Sequence, residues 1–298
     1  MWTLTYLQRL LETLQGMAAA LQLPADPAWG DVLAHLPPTP TTILSGVPVL
    51  APYGEGAQSL NKTTPRSYSG QSNYLHALWP GETLSPRTEK NATLVAAARN
   101  AFNHTAWGQD NSFSWVYAAA ARSTFPLETT LATWRRELRA SQKTNRLVAF
   151  GGLCSDSLGA IAYIHDMLVQ SQEGFVRVFP AWPGNQSASF SGLRMRGGVL
   201  VGASFAGAPQ WAGQPAGRTG GVTALSLAAT AAGSVAFMSP WPGKGEGGVE
   251  VVLVGGGAIS VEWAAVEGAE GGDVGTFLAQ KGATYIVKES ALARVGGT

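Results

Sequence analysis

The residues of this chain best suited to chemistry are few and far apart. Four histidines, His35, His76, His104 and His165, show no HxxxH-type spacing, so no metal site is expected. The one cysteine, Cys154, permits no internal disulfide. It has no evident histidine partner to activate a thiolate, and a small buried residue is its expected role. The glycine run at 255–257 stands between predicted strands and precedes no helix, which makes it a turn and not a phosphate cradle; no cofactor is expected. That leaves carboxylates. Asp110, in WGQDNSFSW, and Asp156, in GGLCSDSLGAI, each sit just before a predicted helix. Aspartate is favoured there as an N-cap, and the same place presents a carboxylate at a helix mouth.

The elements that position these residues change character near the middle of the chain. Leu4, Leu7, Leu11, Leu14 and Leu21 recur at helical spacing and predict one buried helix face. Asp26-Pro27 supplies an N-cap and a proline at the first helical position, opening a short helix that runs to Leu36, before Pro37-Pro38. Residues 40–84 have little period and read as a long loop with a short hairpin near Val47–Ala51 and Tyr53. Helices are predicted near Pro86–His104, Ser112–Ser123, Leu127–Ser141 and Ser157–Ser171. In the last, Leu158, Ile161, Ile164 and Leu168 face inward, with Gly174 as the stop.

From Phe175 the period becomes two. Strands are predicted at Val199–Val201, Val222–Leu227, Val249–Val254, Ile259–Trp263 and Tyr285–Val287, with glycine-rich turns between them. Pro180, Trp182 and Pro183 interrupt the run that starts at Phe175, and Arg194 and Arg196 alternate on the following strand. The expected organisation is helical over 1–173 and all-β over 174–298, with no flexible linker.

Composition narrows the function classes. Of 298 residues 45% are apolar and 13% charged, which suits a packed core and argues against disorder. A formal net charge of +1 offers no basic face for a nucleic-acid backbone. The N-terminus, broken by Arg9 and Glu12, does not read as a signal peptide. The uncharged run Thr219–Gly243 is rich in Gly, Ser and Thr and reads as strand, turn, strand; no membrane span is expected. Asn61, Asn91, Asn103 and Asn185 each head an N-x-S/T triplet, which fits either chance or passage through a secretory pathway.

Several stretches resemble one known family. HDMLVQSQEGFVRVFPAWPGNQSASFSGLRMRGGVLVGA, residues 165–203, resembles the junction of glycoside hydrolase family 95 and its close bacterial relatives. There a "MLLQS.EG" helix end enters "LFPAWP" or "LLPALP", and "GLRARGG" follows. WGDVLAHLPPTPT resembles "W..IL.HL.PYPT", LWPGETL a "PGE" segment, and NSFSWVYAAAARS an "N.F..IYPAAAR" helix. AAGSVAFMSPWPG and GATYIVKE resemble later strands. The pieces run co-linearly over nearly the whole chain.

The resemblance implies the second half of an (α/α)6 toroid followed by a β-sandwich, with the Pro-Trp-Pro corner between them and Arg194 and Arg196 at their contact. It also implies an inverting exo-glycosidase acting on terminal α-linked sugars, α-L-fucosides first. Such enzymes set a general acid and a general base roughly 6.5–9.5 Å apart, leaving room for the attacking water. Counting back from Gln170-Ser171, Asp156 falls on the glutamate of the relatives' "GGGIE" segment and is the candidate base. In the fucosidases' own "IDGN" the aspartate falls on Ser155. Asp110 is a candidate substrate ligand; Trp107, Trp115 and Trp79 are candidate sugar platforms; His76 and His104 are candidate hydroxyl contacts. The family's general acid lies upstream of the matched region, and no residue here matches it. The implied partner is a carbohydrate, with neither nucleic acid nor membrane. The other reading is a non-catalytic carbohydrate-binding or structural module.

Overall fold

The structure, a computed structural model, describes residues 2–51, 73–105, 107, 113–123, 125–144, 154–208, 220–268 and 271–290. The chain divides into two compact units, Met1–Ile164 and His165–Thr298. Among the described residues the first is helical apart from one hairpin and the second is built mainly of antiparallel strands, so the chain is mixed α and β.

The first unit opens with helix α1, Trp2–Ala20. It closes in a Schellman turn: Gln22 takes a left-handed φ of 55°, Leu23 N–H donates to the Ala18 carbonyl and Gln22 N–H to that of Ala19. The buried apolar side chains of α1 are Leu11 and Ala18, while Leu7 and Leu21 are exposed, which corrects the single buried leucine face read from the sequence. Helix α2, Pro27–Ala34, starts as expected, with the Asp26 carboxylate accepting from Ala28 N–H at 2.9 Å. Strands β1, Thr41–Leu44, and β2, Val47–Leu50, pair across Ser45-Gly46, both at positive φ, as a tight two-residue hairpin requires.

After a 3-10 turn at Asn73–Ala77 come α3, Ala92–Ala101, and α4, Phe113–Arg122; α5 is Leu127–Ser141 and α6 is Cys154–Leu168. Asn91 caps α3 by accepting from the N–H groups of Thr93 and Leu94. Fully buried Ala97, Ala98 and Ala101 of α3, and Ala119 and Ala120 of α4, let backbones close in around Val49, Leu50, Leu75 and Phe102. The α6 register differs from the expectation. Tyr163 and Met167 are buried, whereas Ile161 is 66% exposed.

In the second unit Val169–Gln170 (β3) pairs with Arg177–Val178 (β4). Gly174, at φ 87°, sits in the turn between them; it closes this hairpin and does not terminate α6. Phe179 follows at φ 51°, and its ring packs on Trp182, Phe190 and Phe205. Trp182 Nε1 donates to the Gln186 carbonyl at 2.7 Å. The Pro-Trp-Pro corner is thus pinned on both sides before the main sheet begins.

That sheet comprises β5 (Ala188–Met195), β6 (Val199–Ala206), β7 (Gly221–Ala229), β9 (Val249–Leu253), β10 (Ala258–Ile259) and β13 (Thr284–Glu289), in the order β10-β9-β13-β7-β6-β5. A three-stranded sheet, β11-β12-β8, holds β8 (Gly233–Met238), β11 (Glu262–Val266) and β12 (Gly272–Ala279). Alternate residues Val199, Val201, Ala203 and Phe205 of β6 are buried together with Val235, Phe237 and Phe277 of the smaller sheet, so one core draws on both. One sequence reading changes here. Ile259 and Trp263 lie on different strands in different sheets, while the run read as strand, turn, strand forms β7 and β8, which also belong to different sheets. Arg194 and Arg196 flank buried Met195 and are both exposed, the alternation expected of them. No described helix is long and apolar enough to cross a membrane.

Candidate functional site

In the first unit, α1 and α4, distant in sequence, converge on the turn at Asn73–Ala77 and the loop after it. That turn buries His76, whose Nδ1 is 2.7 Å from the Tyr6 hydroxyl of α1. The Trp115 ring, from α4, packs on the imidazole with centroids 5.0 Å apart. Burial lowers the His76 pKa to about 4, so the ring is neutral near pH 7 and serves as a hydrogen-bonding group.

The loop Leu78–Leu84 is held closely. Gly81 N–H donates to the His76 carbonyl at 2.9 Å. A Cβ at Gly81 would lie 2.1 Å from Thr5 Cγ2 and 2.6 Å from that same carbonyl, so only glycine fits. Glu82 comes next, at a positive φ of 58°. Its carboxylate takes a guanidinium N–H on each oxygen: Arg122 of α4 on Oε1, and Arg9 of α1 at 3.5 Å on Oε2. The Glu82 and Arg122 side chains are only 10% and 12% exposed. Arg87, buried, donates to the carbonyls of Ala121 and Ser123 and so holds the C-terminal end of α4, from which Arg122 projects. Two arginines on one enclosed carboxylate offset the cost of burying it.

Beside this network runs a groove of about 390 Å³ between α1, the segment after α2 and the stretch 83–94. Its lining includes Thr5, Gln8 and Glu12 of α1, Leu33 and Leu36, and Glu89 ahead of α3. Gln8 donates to Glu12, and Glu89 accepts the N–H of Asn91. Carboxylate and amide groups over leucine side chains can take the hydroxyls and the apolar face of a small polyol. Among the described residues no three His, Cys, Asp or Glu groups gather as a metal site.

The residues singled out from sequence fall into three groups. His76 and Trp115 meet directly. Trp107 is half-buried in a separate aromatic cluster with Phe102, Tyr117 and Phe125, and Tyr117 donates its hydroxyl to the Trp107 carbonyl at 3.0 Å. Trp79 lies against the same alanine-rich core. Asp110 lies outside the described residues. The backbone of Asp156 falls in the first turn of α6, two residues inside its start at Cys154, while its side chain lies outside the described residues. His104 closes a short 3-10 turn and is partly exposed.

Tyr6, Arg9, Glu12, Glu82, Glu89 and Arg122 were not legible as a group. LWPGETL stands out in the sequence, but nothing in it names Arg122, forty residues on, as the partner of Glu82. Burial also shapes the neighbouring aromatic cluster: it raises the Tyr163 phenol and, together with Glu137, that of Tyr117 far above the usual range. The sequence matches no protein-family model and no curated protein.

Proposed function

We propose that the chain is a carbohydrate-active protein of the glycoside hydrolase family 95 type. In this reading the helical unit corresponds to the second half of an (α/α)6 toroid and the strands of the second unit to its C-terminal sandwich. One observation carries it: two of the stretches that resemble the family are joined through an enclosed ion pair. Glu82 of LWPGETL is ion-paired with Arg122 of NSFSWVYAAAAR, and Gly81 of the first motif is pressed against His76 and Thr5. The order of elements, helices followed by antiparallel sheets with a pinned Pro-Trp-Pro corner between, supports the same reading.

The chemistry that follows is inverting hydrolysis of a terminal α-linked sugar, α-L-fucose first, with Asp156 drawing the proton from the attacking water. No residue of this chain matches the family's acid. The test therefore uses a leaving group that needs no protonation. With α-L-fucosyl fluoride, a base-only site releases fluoride, and Asp156→Asn lowers that rate by roughly 100-fold or more. Fucose binding without hydrolysis favours a binding module. Neither fluoride release nor sugar binding at millimolar ligand refutes the carbohydrate reading.

A further inference from the structure

Four of the chain's eight asparagines head an N-x-S/T triplet, and no middle residue of the four is proline. Serine and threonine make up 45 of the 298 residues, so composition alone would place one of them two positions after about one asparagine in seven. One stands there after half of them. The fold sorts the asparagines the same way. Asn91, Asn103 and Asn185, each heading a triplet, are exposed: at the N-cap of α3, in the 3-10 turn Phe102–His104 and in the turn before β5. Asn61 lies outside the described residues. Asn73 and Asn100 head no triplet and are half-buried, and Asn100 Nδ2 donates to the Pro48 carbonyl at 2.9 Å. At Asn91 the capping bonds from the N–H groups of Thr93 and Leu94 fall on Oδ1, at 3.1 and 3.2 Å, so the cap makes no use of the amide nitrogen.

We propose that Asn91, Asn103 and Asn185 are N-glycosylation sites and that the chain passes through a secretory compartment. The donor is a lipid diphosphate-linked oligosaccharide. The bond from sugar C1 to the diphosphate oxygen breaks and a bond from C1 to Nδ2 forms. The lipid diphosphate leaves with the electron pair, and one Nδ2 proton passes to a base of the transferase. The side chain remains an amide, so Asn91 Oδ1 goes on accepting from Thr93 and Leu94. The Thr105 hydroxyl is buried, bonded to the Tyr74 hydroxyl and donating to the Ala101 carbonyl. The transferase reads it while the chain is still extended, and only Asn103 must stay outside afterwards. Bulky polar glycans also suit a surface whose net charge of +1 gives little mutual repulsion. Glycosylation at these sites holds whether or not the chain acts on sugars.

The full chain, isolated from its own cells, is treated with a peptide-N-glycosidase in heavy-oxygen water, and its peptides are read by mass spectrometry. The expected result is a fall in apparent mass on a gel, with labelled aspartate at positions 91, 103 and 185. Thr93→Ala, reintroduced into the same cells, leaves Asn91 and its cap in place and loses one glycan step. Asn91→Asp keeps the accepting oxygen and loses the same step, whereas Thr93→Ser preserves the triplet and retains it. An unchanged mass after the enzyme, with Asn91 recovered as unlabelled asparagine, overturns the proposal. So does a glycan step at Asn91 that survives Thr93→Ala, or occupancy confined to Asn61.

Discussion

Gly81→Ala tests the packing of the His76 loop at one atom. The new Cβ would lie 2.1 Å from Thr5 Cγ2 and 2.6 Å from the His76 carbonyl oxygen, against about 3.5–4.0 Å for ordinary contact. One obstacle is a methyl on a buried, β-branched side chain. The other is backbone that already accepts the N–H of Gly81. The loop must move by about 1 Å, at an overpacking cost of roughly 1–3 kcal/mol and the loss of part of a hydrogen bond worth about 1 kcal/mol. A destabilisation of about 3 kcal/mol follows. Thr5→Ser removes Cγ2 and leaves the carbonyl, so in the Gly81→Ala background it recovers about 1 kcal/mol, while alone it costs about 0.8 kcal/mol. Urea unfolding followed by tryptophan fluorescence and by circular dichroism measures all four corners of the cycle. A Gly81→Ala loss under 0.5 kcal/mol, or strict additivity with Thr5→Ser, refutes the close-contact reasoning.

Further expectations follow from the same structure. His76 is held near 4 when folded and returns to about 6.5 when unfolded, so between those values the unfolded chain binds more protons. Stability then falls as pH drops through that window, by about 2 kcal/mol after allowance for solvent screening, and His76→Gln flattens the dependence in urea melts from pH 7 to 4. Arg122→Met leaves Glu82 with Arg9 as its guanidinium partner and removes the more buried of its two pairings, at a cost of about 2 kcal/mol in the same assay; a loss under 0.5 kcal/mol would refute the role given to Arg122. Asn91→Ala removes the α3 cap and costs about 1 kcal/mol, whereas Asn91→Asp keeps the accepting oxygen and stays within about 0.3 kcal/mol; equal losses would refute the capping role. In the second unit Phe237, fully buried among Trp263 and Phe277, loses about 3–5 kcal/mol on change to Ala, read as a drop in melting temperature.

Local chemistry made some of this legible and left the rest hidden. Asp26-Pro27 announced α2 because capping is decided within three residues. The last strand was visible in Tyr285 and Val287, which alternate with exposed Ile286. The inward face of α1 was not, because apolar residues lie on more than one side of it and periodicity cannot choose between two stripes. Ile161 misled for the same reason: α6 buries Tyr163 and Met167, and an isoleucine at helical spacing carries no label of direction. Strand partners were also hidden, since β7 and β8 follow one another across a short turn and belong to different sheets. At the candidate site, His76 and Trp115 were noticed as types, but their contact, and the Arg9–Glu82–Arg122 network behind them, depends on tertiary placement.

The position of β13 has a consequence for how the protein comes into being. This strand, the last one described, lies between β9 and β7 and registers with both, Tyr285 opposite Leu227 on one side and Leu253 on the other. On the ribosome, β5, β6 and β7 emerge in sequence and can zip as a meander, and β9 with β10 as a hairpin. Neither group can join the other until Glu289 has cleared the exit tunnel. For that interval two open strand edges, carrying Leu225, Leu227, Val251 and Leu253, wait for the same late-arriving partner. The main sheet therefore closes only once β13 is in place, and a chaperone that shields strand edges would act on the unit before that step.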